Sequence, residues 1–216
     1  MKKNRLKSGF TLLELLVALA LLVIIVGLSA YLYARAARLR KLITYQNEVQ
    51  NTLNSMITEI SYGSRNTIGL EFAHNIKNDP QNAFYELAFY DRTKGETVFY
   101  LISPGMNSEI PSTLPTTDTD TTLWQAKSNS AGTPARKSGL WKLIDANKSI
   151  VLDSGSGFTY YGQTNSGLHE INSEVLPDTC VAVKITLKGK TTDPSLKTRP
   201  VITTTILARI KNKLPF

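Results

Sequence analysis

Residues 7–14 read KSGFTLLE, and this stretch decides how the rest of the chain is interpreted. Its first residues are the end of a basic leader. This leader has no acidic residue and contains four cations, Lys2, Lys3, Arg5 and Lys7. Beyond it, the 20 residues 15–34 carry no charged side chain. Because a helix needs about 20 residues to cross the hydrocarbon core of a bilayer, this run predicts a transmembrane helix.

Glu14 is a carboxylate at the start of this apolar helix. A charge at a helix centre costs on the order of 2.5–3.5 kcal/mol on insertion scales, and less near the interface, where it can snorkel into the headgroups. A second explanation uses the leader. A cut between Gly9 and Phe10 would create an amine at Phe10, four residues before Glu14 and on the same helix face. Pairing of amine and carboxylate between neighbouring chains would then fix their axial register.

The order of a basic leader, Gly9, Phe10, Thr11, Glu14 and a membrane span resembles the prepilin leader of type IV pilins and type II secretion pseudopilins. The resemblance covers roughly residues 5–40. It implies that Gly9 precedes the scissile bond, that Phe10 becomes the N-methylated first residue, and that Glu14 guides subunit assembly. The implied partners are a prepilin peptidase, other pilins or pseudopilins in a helical filament or tip complex, and an inner-membrane assembly platform.

Two other kinds of N-terminal segment share some of these features. A secretory signal has an apolar core of about 7–15 residues and a small-x-small cleavage site. The tripeptide Ala34-Arg35-Ala36 fits such a site formally, but its Arg is poorly placed and the apolar run is too long. An uncleaved signal anchor would show the same leader and span, and it would need neither Gly9-Phe10 nor Glu14.

The charge balance says little about a nucleic-acid partner. The 216-residue chain has a formal net charge of +8, to which the leader contributes four cations. A basic cluster follows the span directly, at Arg35, Arg38, Arg40 and Lys41. Such residues usually contact lipid headgroups or form a solvated helix face, so membrane lipid is an expected partner and nucleic acid is not. The pilin resemblance implies a single-pass inner-membrane protein, with the leader in the cytoplasm and the C-terminal domain outside before it enters a pilus or pseudopilus.

The helix is expected to continue beyond the membrane. Apolar residues between Leu39 and Ile60 recur at spacings of three and four, which predicts an amphipathic helix. Tyr62-Gly63-Ser64 is the first stop signal. We therefore expect a leader at 1–9, a transmembrane or filament-core helix at 10–34, its amphipathic continuation at 35–62, and an extracytoplasmic β-rich domain at 63–216.

Short segments rich in β-branched and aromatic residues predict strands in that domain. They cover residues 84–90, 97–103, 140–144, 149–152, 158–161, 180–187 and 201–210. The predicted fold is α+β and pilin-like, with one long N-terminal helix packed on an antiparallel sheet. Residues 104–138 predict a long exposed loop, in which Asp118 and Asp120 are weak candidates for Ca²⁺ ligands. A solvated acid pair is the more ordinary interpretation, so no metal site is expected.

Two later segments are similar to particular subfamilies. Gly157-Phe158-Thr159-Tyr160-Tyr161 and the tail at 208–212, ARIKN, stand where J-type pseudopilins and W-type minor pilins have an aromatic strand and an Arg-containing end. Major pilins are commonly shorter than this chain, which also favours a minor subunit.

The residues that could carry chemistry are isolated. His74 and His169 have no recognisable nucleophile or metal spacing around them, and His169 is expected in a polar loop. Cys180 is the only cysteine and is expected to be a buried strand residue. Four aromatic residues are interpreted as core rather than as a binding face: Trp124, Trp141, Tyr160 and Tyr161.

The sequence therefore predicts no enzyme and no cofactor. It indicates a structural subunit, which is a substrate of a prepilin peptidase and N-methyltransferase and serves as a minor pilin or pseudopilin. Two alternatives stay open. One is a monomeric membrane-anchored binding module, and the other is a competence pilin that takes part in DNA uptake.

Overall fold

The computed structural model describes residues 11–65, 67–73, 75–77, 86–91, 94–103, 121–128, 142–145, 150–171, 180–193, 196 and 199–211. Helix α1, Leu12–Tyr62, contains 51 residues. The chain divides into two units, of which the first ends at Thr44 and the second begins at Tyr45.

The first unit contains the apolar part of α1 and the basic residues that follow it. Its large hydrophobic side chains from Leu12 to Leu32 are exposed. An 18-residue window of α1 reaches a mean hydropathy of 2.8, and none of that window is buried. The length and composition are those of a membrane-spanning helix, in agreement with the expectation for residues 15–34.

The second unit begins with the last turns of α1. The apolar side chains that α1 buries there are spaced by three or four residues, as the amphipathic pattern predicts, and they are Val49, Leu53, Met56, Ile57 and Ile60. Upstream, Leu39 and Ile43 stay exposed, so the buried stripe starts later than the sequence pattern does. The helix ends at Tyr62, and Gly63 follows it with a φ of 86°, a backbone conformation that glycine adopts without strain.

The first five-stranded sheet is an antiparallel meander in the order β3-β4-β5-β6-β7. It follows a two-stranded ribbon, β1 Gly63–Ser64 and β2 Thr67–Ile68, and a 3₁₀ turn at Leu70–Phe72. Its strands are β3 Asn75–Lys77, β4 Glu86–Asp91, β5 Glu96–Ser103, β6 Thr122–Ser128 and β7 Lys142–Leu143. The central strand β5 is buried on both faces for most of its length, which explains its nearly continuous apolar run.

The second sheet has the order β10-β9-β11-β12 and is also antiparallel. Its strands are β8 Ile150–Leu152, β9 Gly157–Thr164, β10 Gly167–Ile171, β11 Cys180–Thr191 and β12 Ile202–Arg209. The long strand β11 pairs with β9 over its first half and with β8 near its end, which makes it the centre of the sheet.

One hydrophobic core joins the C-terminal part of α1 to both sheets. It includes Leu53 and Ile60 of α1, Tyr100 of β5, and Ile185 and Leu187 of β11. The sheets are also linked through the backbone, since the N–H of Leu152 donates to the carbonyl oxygen of Thr121 at 2.7 Å. The fold class is therefore confirmed, as one long N-terminal apolar helix packed on antiparallel β-structure.

Several details of the prediction were wrong. The β-structure forms two five-stranded sheets and not one. Residues 122–128 lie within the range expected to be a long loop at 104–138, yet they form strand β6. Leu123 packs in the main core, while Ala126 and Trp124 pack in a smaller second cluster. Residues 104–120 and 129–138 lie outside the described part of the chain. His169 lies in strand β10 and not in a loop.

Candidate assembly site at the start of the helix

Thr11 and Glu14 form a reciprocal capping box at the start of α1. Glu14 Oε2 accepts hydrogen bonds from the backbone N–H of Thr11 at 2.9 Å and from its hydroxyl at 3.0 Å. The Thr11 Oγ1 atom in turn accepts from the backbone N–H of Glu14 at 3.3 Å. The first helical bond follows at once, from the N–H of Leu15 to the carbonyl oxygen of Thr11 at 3.2 Å. Thr11 is thus the N-cap, and Glu14 is the acid of the first turn.

This geometry gives Glu14 a local function that the sequence analysis missed. The signal was present, because a Thr followed three residues later by Glu before an apolar run is the sequence signature of a capping box. A carboxylate in the first turn is also favoured by the positive end of the helix dipole. Glu14 therefore stabilises the start of its own helix, whatever it does between chains.

The surface around Glu14 is apolar. The neighbouring side chains on that face of α1 are Leu13, Val17, Ala18 and Leu21, and they are exposed. If another apolar helix covered this face, the carboxylate would lose water, and its attraction to any nearby cation would grow as the effective dielectric constant falls. The site therefore suits an ion pair formed on helix association.

Two of the three residues expected at this site, Gly9 and Phe10, lie outside the described residues. The covalent structure still links them to the cap. Hydrolysis of the Gly9–Phe10 bond leaves the Phe10–Thr11 amide intact, and this amide supplies the Thr11 N–H that donates to Glu14. Cleavage of the leader is thus compatible with the capping box.

The structure separates the aromatic residues that were considered as a binding face. Tyr160 is buried in the core, as expected, while Tyr161, the next residue on β9, is half-buried. Trp124 packs on a small cluster that includes Phe99 and Leu101, and its Nε1 donates to the carbonyl oxygen of Ser103 at 3.3 Å. Trp141 lies outside the described part of the chain.

Only some of the remaining candidates lie in the described part of the chain, and those form no metal site there. Cys180 is 1% exposed at the start of β11, which confirms the expectation of a buried strand residue. His169 is exposed on β10, where its ring lies over Gly162 of the paired strand. Asp118, Asp120 and His74 are not among the described residues. Within the part that is described, no group of three or more His, Cys, Asp or Glu side chains could hold a metal ion.

The first of the two segments on which the subfamily resemblance rested lies in the second sheet, and the second segment begins there. Residues 157–161 are the first part of β9. The tail contains the end of β12, after which the N–H of Ile210 donates to the carbonyl oxygen of Val181 at 3.0 Å. Lys211 Nζ then pairs with Glu71 Oε2 at 2.6 Å. These contacts give the segments structural functions in the β-domain.

Comparison with known proteins finds a match at the start of α1. Residues 4–30 match the family model of the prokaryotic N-terminal methylation motif. No curated protein and no solved structure matches the chain. The match includes Gly9, Phe10, Thr11 and Glu14, together with much of the apolar run. The chain therefore carries a type IV pilin-like prepilin leader, with a methylation motif that fits a pilin or pseudopilin.

Proposed function

We propose that this chain is a minor pilin or pseudopilin. It assembles through its N-terminal helix into a type IV pilus or a type II secretion pseudopilus, or primes the tip of one, after its leader is cleaved and Phe10 is N-methylated. The observation that carries the proposal is the start of α1, where an acid-capped helix with an exposed apolar surface lies inside the matched methylation motif.

The first step is processing of the leader. Water adds across the Gly9–Phe10 peptide bond, which leaves a carboxylate on Gly9 and an ammonium group on Phe10. A cation at the N-terminus of a helix is opposed by the helix dipole. Glu14 in the first turn offsets this repulsion, so the capping box prepares the chain to carry the new charge.

The second step is recognition of a neighbouring subunit. A carboxylate has about four lone-pair sites, and the two bonds from Thr11 leave acceptor capacity for the Phe10 ammonium of another chain. Such a pair in an apolar surrounding penalises any other axial register, because a shift would leave both charges unpaired. The function of Glu14 in this step is thus to select the register of assembly.

The third step exchanges lipid for protein around the apolar run. The exposed helix packs against other pilin helices in a filament core, and the β-domain remains on the extracytoplasmic side. A prepilin peptidase, an inner-membrane assembly platform and other pilins are the partners that this pathway requires. The proposed regions are 1–9 for the leader, 10–34 for the core helix, 35–62 for its continuation and 63–216 for the β-domain.

Two other functions compete with this proposal. A monomeric anchored binding module would use the same span but would not need Glu14 for any contact between chains. A DNA-uptake pilin would share the leader and would bind DNA through basic residues. For the binding module, the aromatic side chains among the described residues are divided between separate environments and form no common binding face.

The test is the N-terminal mass of the full chain recovered from membranes of cells with and without the prepilin peptidase. We expect a chain that begins at N-methylated Phe10 only when the peptidase is present. An intact leader in both strains would leave the anchored module, and a cut after Ala36 would indicate an ordinary secretory signal. Either result would overturn the proposal.

A further inference from the structure

Three arginines surround α1 directly after the apolar run. Arg35, Arg38 and Arg40 are exposed. With 3.6 residues per turn, they point in directions of roughly 0°, 300° and 140° around the helix axis, so that no gap between them exceeds about 160°. A stripe that recognised a protein partner would occupy one side of the helix. Cations on all sides suit a medium that encloses the helix.

The position of these arginines along α1 matches the headgroup layer of a bilayer. The 20 residues 15–34 rise about 30 Å, which equals the thickness of the hydrocarbon core. From Arg35 to Arg40 the helix rises about 7.5 Å more, close to the depth of one interfacial layer. Tyr31 and Tyr33, which are 62% and 78% exposed, lie in the turn before, where aromatic residues mark the membrane interface.

The arginines have no acid near them on their own helix. After Glu14 the next acidic residue of the chain is Glu48, which is two turns beyond Arg40. Pairs at spacings of three or four are the ones that neutralise charge on a helix surface, and none is available here. A guanidinium also presents a planar fork of donors that matches the oxygens of a phosphate.

We propose that Arg35, Arg38 and Arg40 form an arginine collar that binds the phosphates of anionic phospholipids in the extracytoplasmic leaflet. The collar fixes the depth of the helix while the subunit waits in the membrane, and its contacts are broken when the subunit is drawn into a filament. The choice of leaflet rests on the proposed function, which directs the leader to the cytoplasm. The lipid binding itself does not depend on it.

The test uses the full chain purified in a neutral detergent and equilibrated with equal amounts of phosphatidylglycerol and phosphatidylcholine of the same acyl chains. Bound lipid is quantified after re-isolation. We expect phosphatidylglycerol to be enriched on the wild type. Since each Lys or Arg near an anionic surface adds appreciably to binding, the triple change Arg35→Gln, Arg38→Gln, Arg40→Gln should lower the enrichment on the order of tenfold or more.

Two further variants test whether the lipid enrichment depends on the chemistry and on the position of these arginines. The triple Arg→Lys variant keeps the charge but loses the planar fork of donors, so it should keep only part of the enrichment. The triple change Lys184→Gln, Lys188→Gln, Arg209→Gln removes the same charge from the second sheet and should leave the enrichment unchanged. Equal enrichment in the wild type and the Arg→Gln variant would overturn the proposal, and so would an equal loss in the sheet variant.

Two further experiments test whether the bound phosphate group belongs to a lipid, to a free anion or to a nucleic acid. Inorganic phosphate added in excess of the lipid should not displace it, and displacement would indicate a site for a free anion instead. An oligonucleotide is titrated onto the same proteins without lipid. The proposal would also be overturned if the Arg→Gln variant lost oligonucleotide binding but kept the lipid enrichment of the wild type. Prepilin peptidase digestion of each sample keeps the two proposals separate, because the collar variant should be cut like the wild type.

Discussion

The Tyr160 hydroxyl on β9 donates a hydrogen bond to the backbone carbonyl oxygen of Glu86 on β4 at 2.7 Å, and so joins the two sheets through the core. The Tyr160 side chain is 3% exposed. Burial, and then the nearby Cys180 and Glu86, raise the pKa of Tyr160 well above its ordinary value. The hydroxyl therefore stays protonated and remains a donor at physiological pH.

The change Tyr160→Phe tests this link between the sheets. It keeps the ring and removes the donor, so the carbonyl oxygen of Glu86 loses a buried partner. We expect the free energy of unfolding to fall by about 1–3 kcal/mol. The loss is measured by urea unfolding of the full chain in detergent, with tryptophan fluorescence as the readout. Tyr161→Phe, at the half-buried neighbouring position, is the control and should change stability by less than half as much.

Gly69 lies against the end of α1, and the contact leaves no room for a side chain. A Cβ atom there would lie 2.2 Å from the carbonyl carbon of Tyr62 and 2.3 Å from the backbone oxygen of Ser61. The φ of Gly69 is −91°, so the cost of Gly69→Ala is steric and not conformational. Because backbone must move to admit the methyl group, we expect a loss of stability of about 1–3 kcal/mol or more.

Gly95→Ala is the comparison for Gly69→Ala. Gly95 has a φ of 68°, and the nearest atom to an added Cβ is the Tyr90 hydroxyl at 3.9 Å. Here the cost is the left-handed backbone alone, roughly 1–2 kcal/mol, and Gly95→Asn should recover part of it. Thermal or urea unfolding should rank Gly69→Ala as the more damaging change. The reverse order would mean that the end of α1 can shift to admit a side chain.

Glu59, near the end of α1, is expected to make the stability of the fold depend on pH. Its Oε1 accepts a hydrogen bond from Gln125 Nε2 at 3.3 Å, and the same nitrogen donates to the Tyr100 hydroxyl at 2.8 Å. Burial raises the pKa of Glu59 above its ordinary value of 4.5, and the Gln125 bond opposes this shift only in part. The folded state thus holds the Glu59 proton more tightly than the unfolded state does. This contribution to stability is present below pH 4.5 and is lost as the pH rises through the folded pKa.

The change Glu59→Gln removes that titration and keeps an acceptor for Gln125. We expect the stability of the wild type relative to Glu59→Gln to fall as the pH is raised from about 4.5 toward neutrality. Urea unfolding of both proteins at several pH values measures the difference. A difference that stays constant, or that grows with pH, would show that Glu59 does not titrate in this way.

The sequence predicted those parts of the structure that depend on local pattern. The apolar run of α1, its stop at Tyr62-Gly63 and the strand that begins at Cys180 follow from hydrophobic periodicity and turn residues. Strand β6 was missed because it lies between polar segments that suggest a loop. The division of the strands into two sheets depends on long-range pairing, such as that of β8 with β11, which no local pattern encodes.

The candidate site shows the same division between local and non-local information. The sequence analysis identified Glu14 as a residue of the site, but only because it would contact another chain. The intrachain bond to Thr11 could have been predicted from the spacing of the two residues. The position of the Tyr160–Glu86 bond could not, because it depends on how the two sheets meet.

The substitution Thr11→Ala tests the capping box by itself. It removes the Oγ1 atom, which both donates to Glu14 and accepts from its N–H. Loss of an N-cap costs about 1 kcal/mol of helix stability, so amide hydrogen exchange in the first turn of α1 should become severalfold faster. Thr11→Ser keeps the hydroxyl and should behave like the wild type. Unchanged exchange in Thr11→Ala would mean that the other bonds of the first turn suffice.

Glu14 caps its own helix and, in the proposed function, also supplies a charge for a neighbouring chain. Two substitutions separate these two functions. Glu14→Gln keeps an oxygen that can accept from the Thr11 N–H, but it removes the negative charge. Glu14→Ala removes both. If the pairing of Glu14 with the Phe10 ammonium selects the register, both variants should lose assembly at least tenfold, as measured by cross-linking between subunits in membranes or by recovery of filaments.

First-turn hydrogen exchange then reports on the cap in the same two proteins. We expect Glu14→Gln to exchange nearly as slowly as the wild type, and Glu14→Ala to exchange faster, because only the alanine variant loses the acceptor for Thr11. Assembly by Glu14→Gln at the wild-type level, with failure of Glu14→Ala alone, would mean that helix capping is the requirement. The interchain ion pair would then have no function in assembly, and the register would have to be set by the apolar surface of α1.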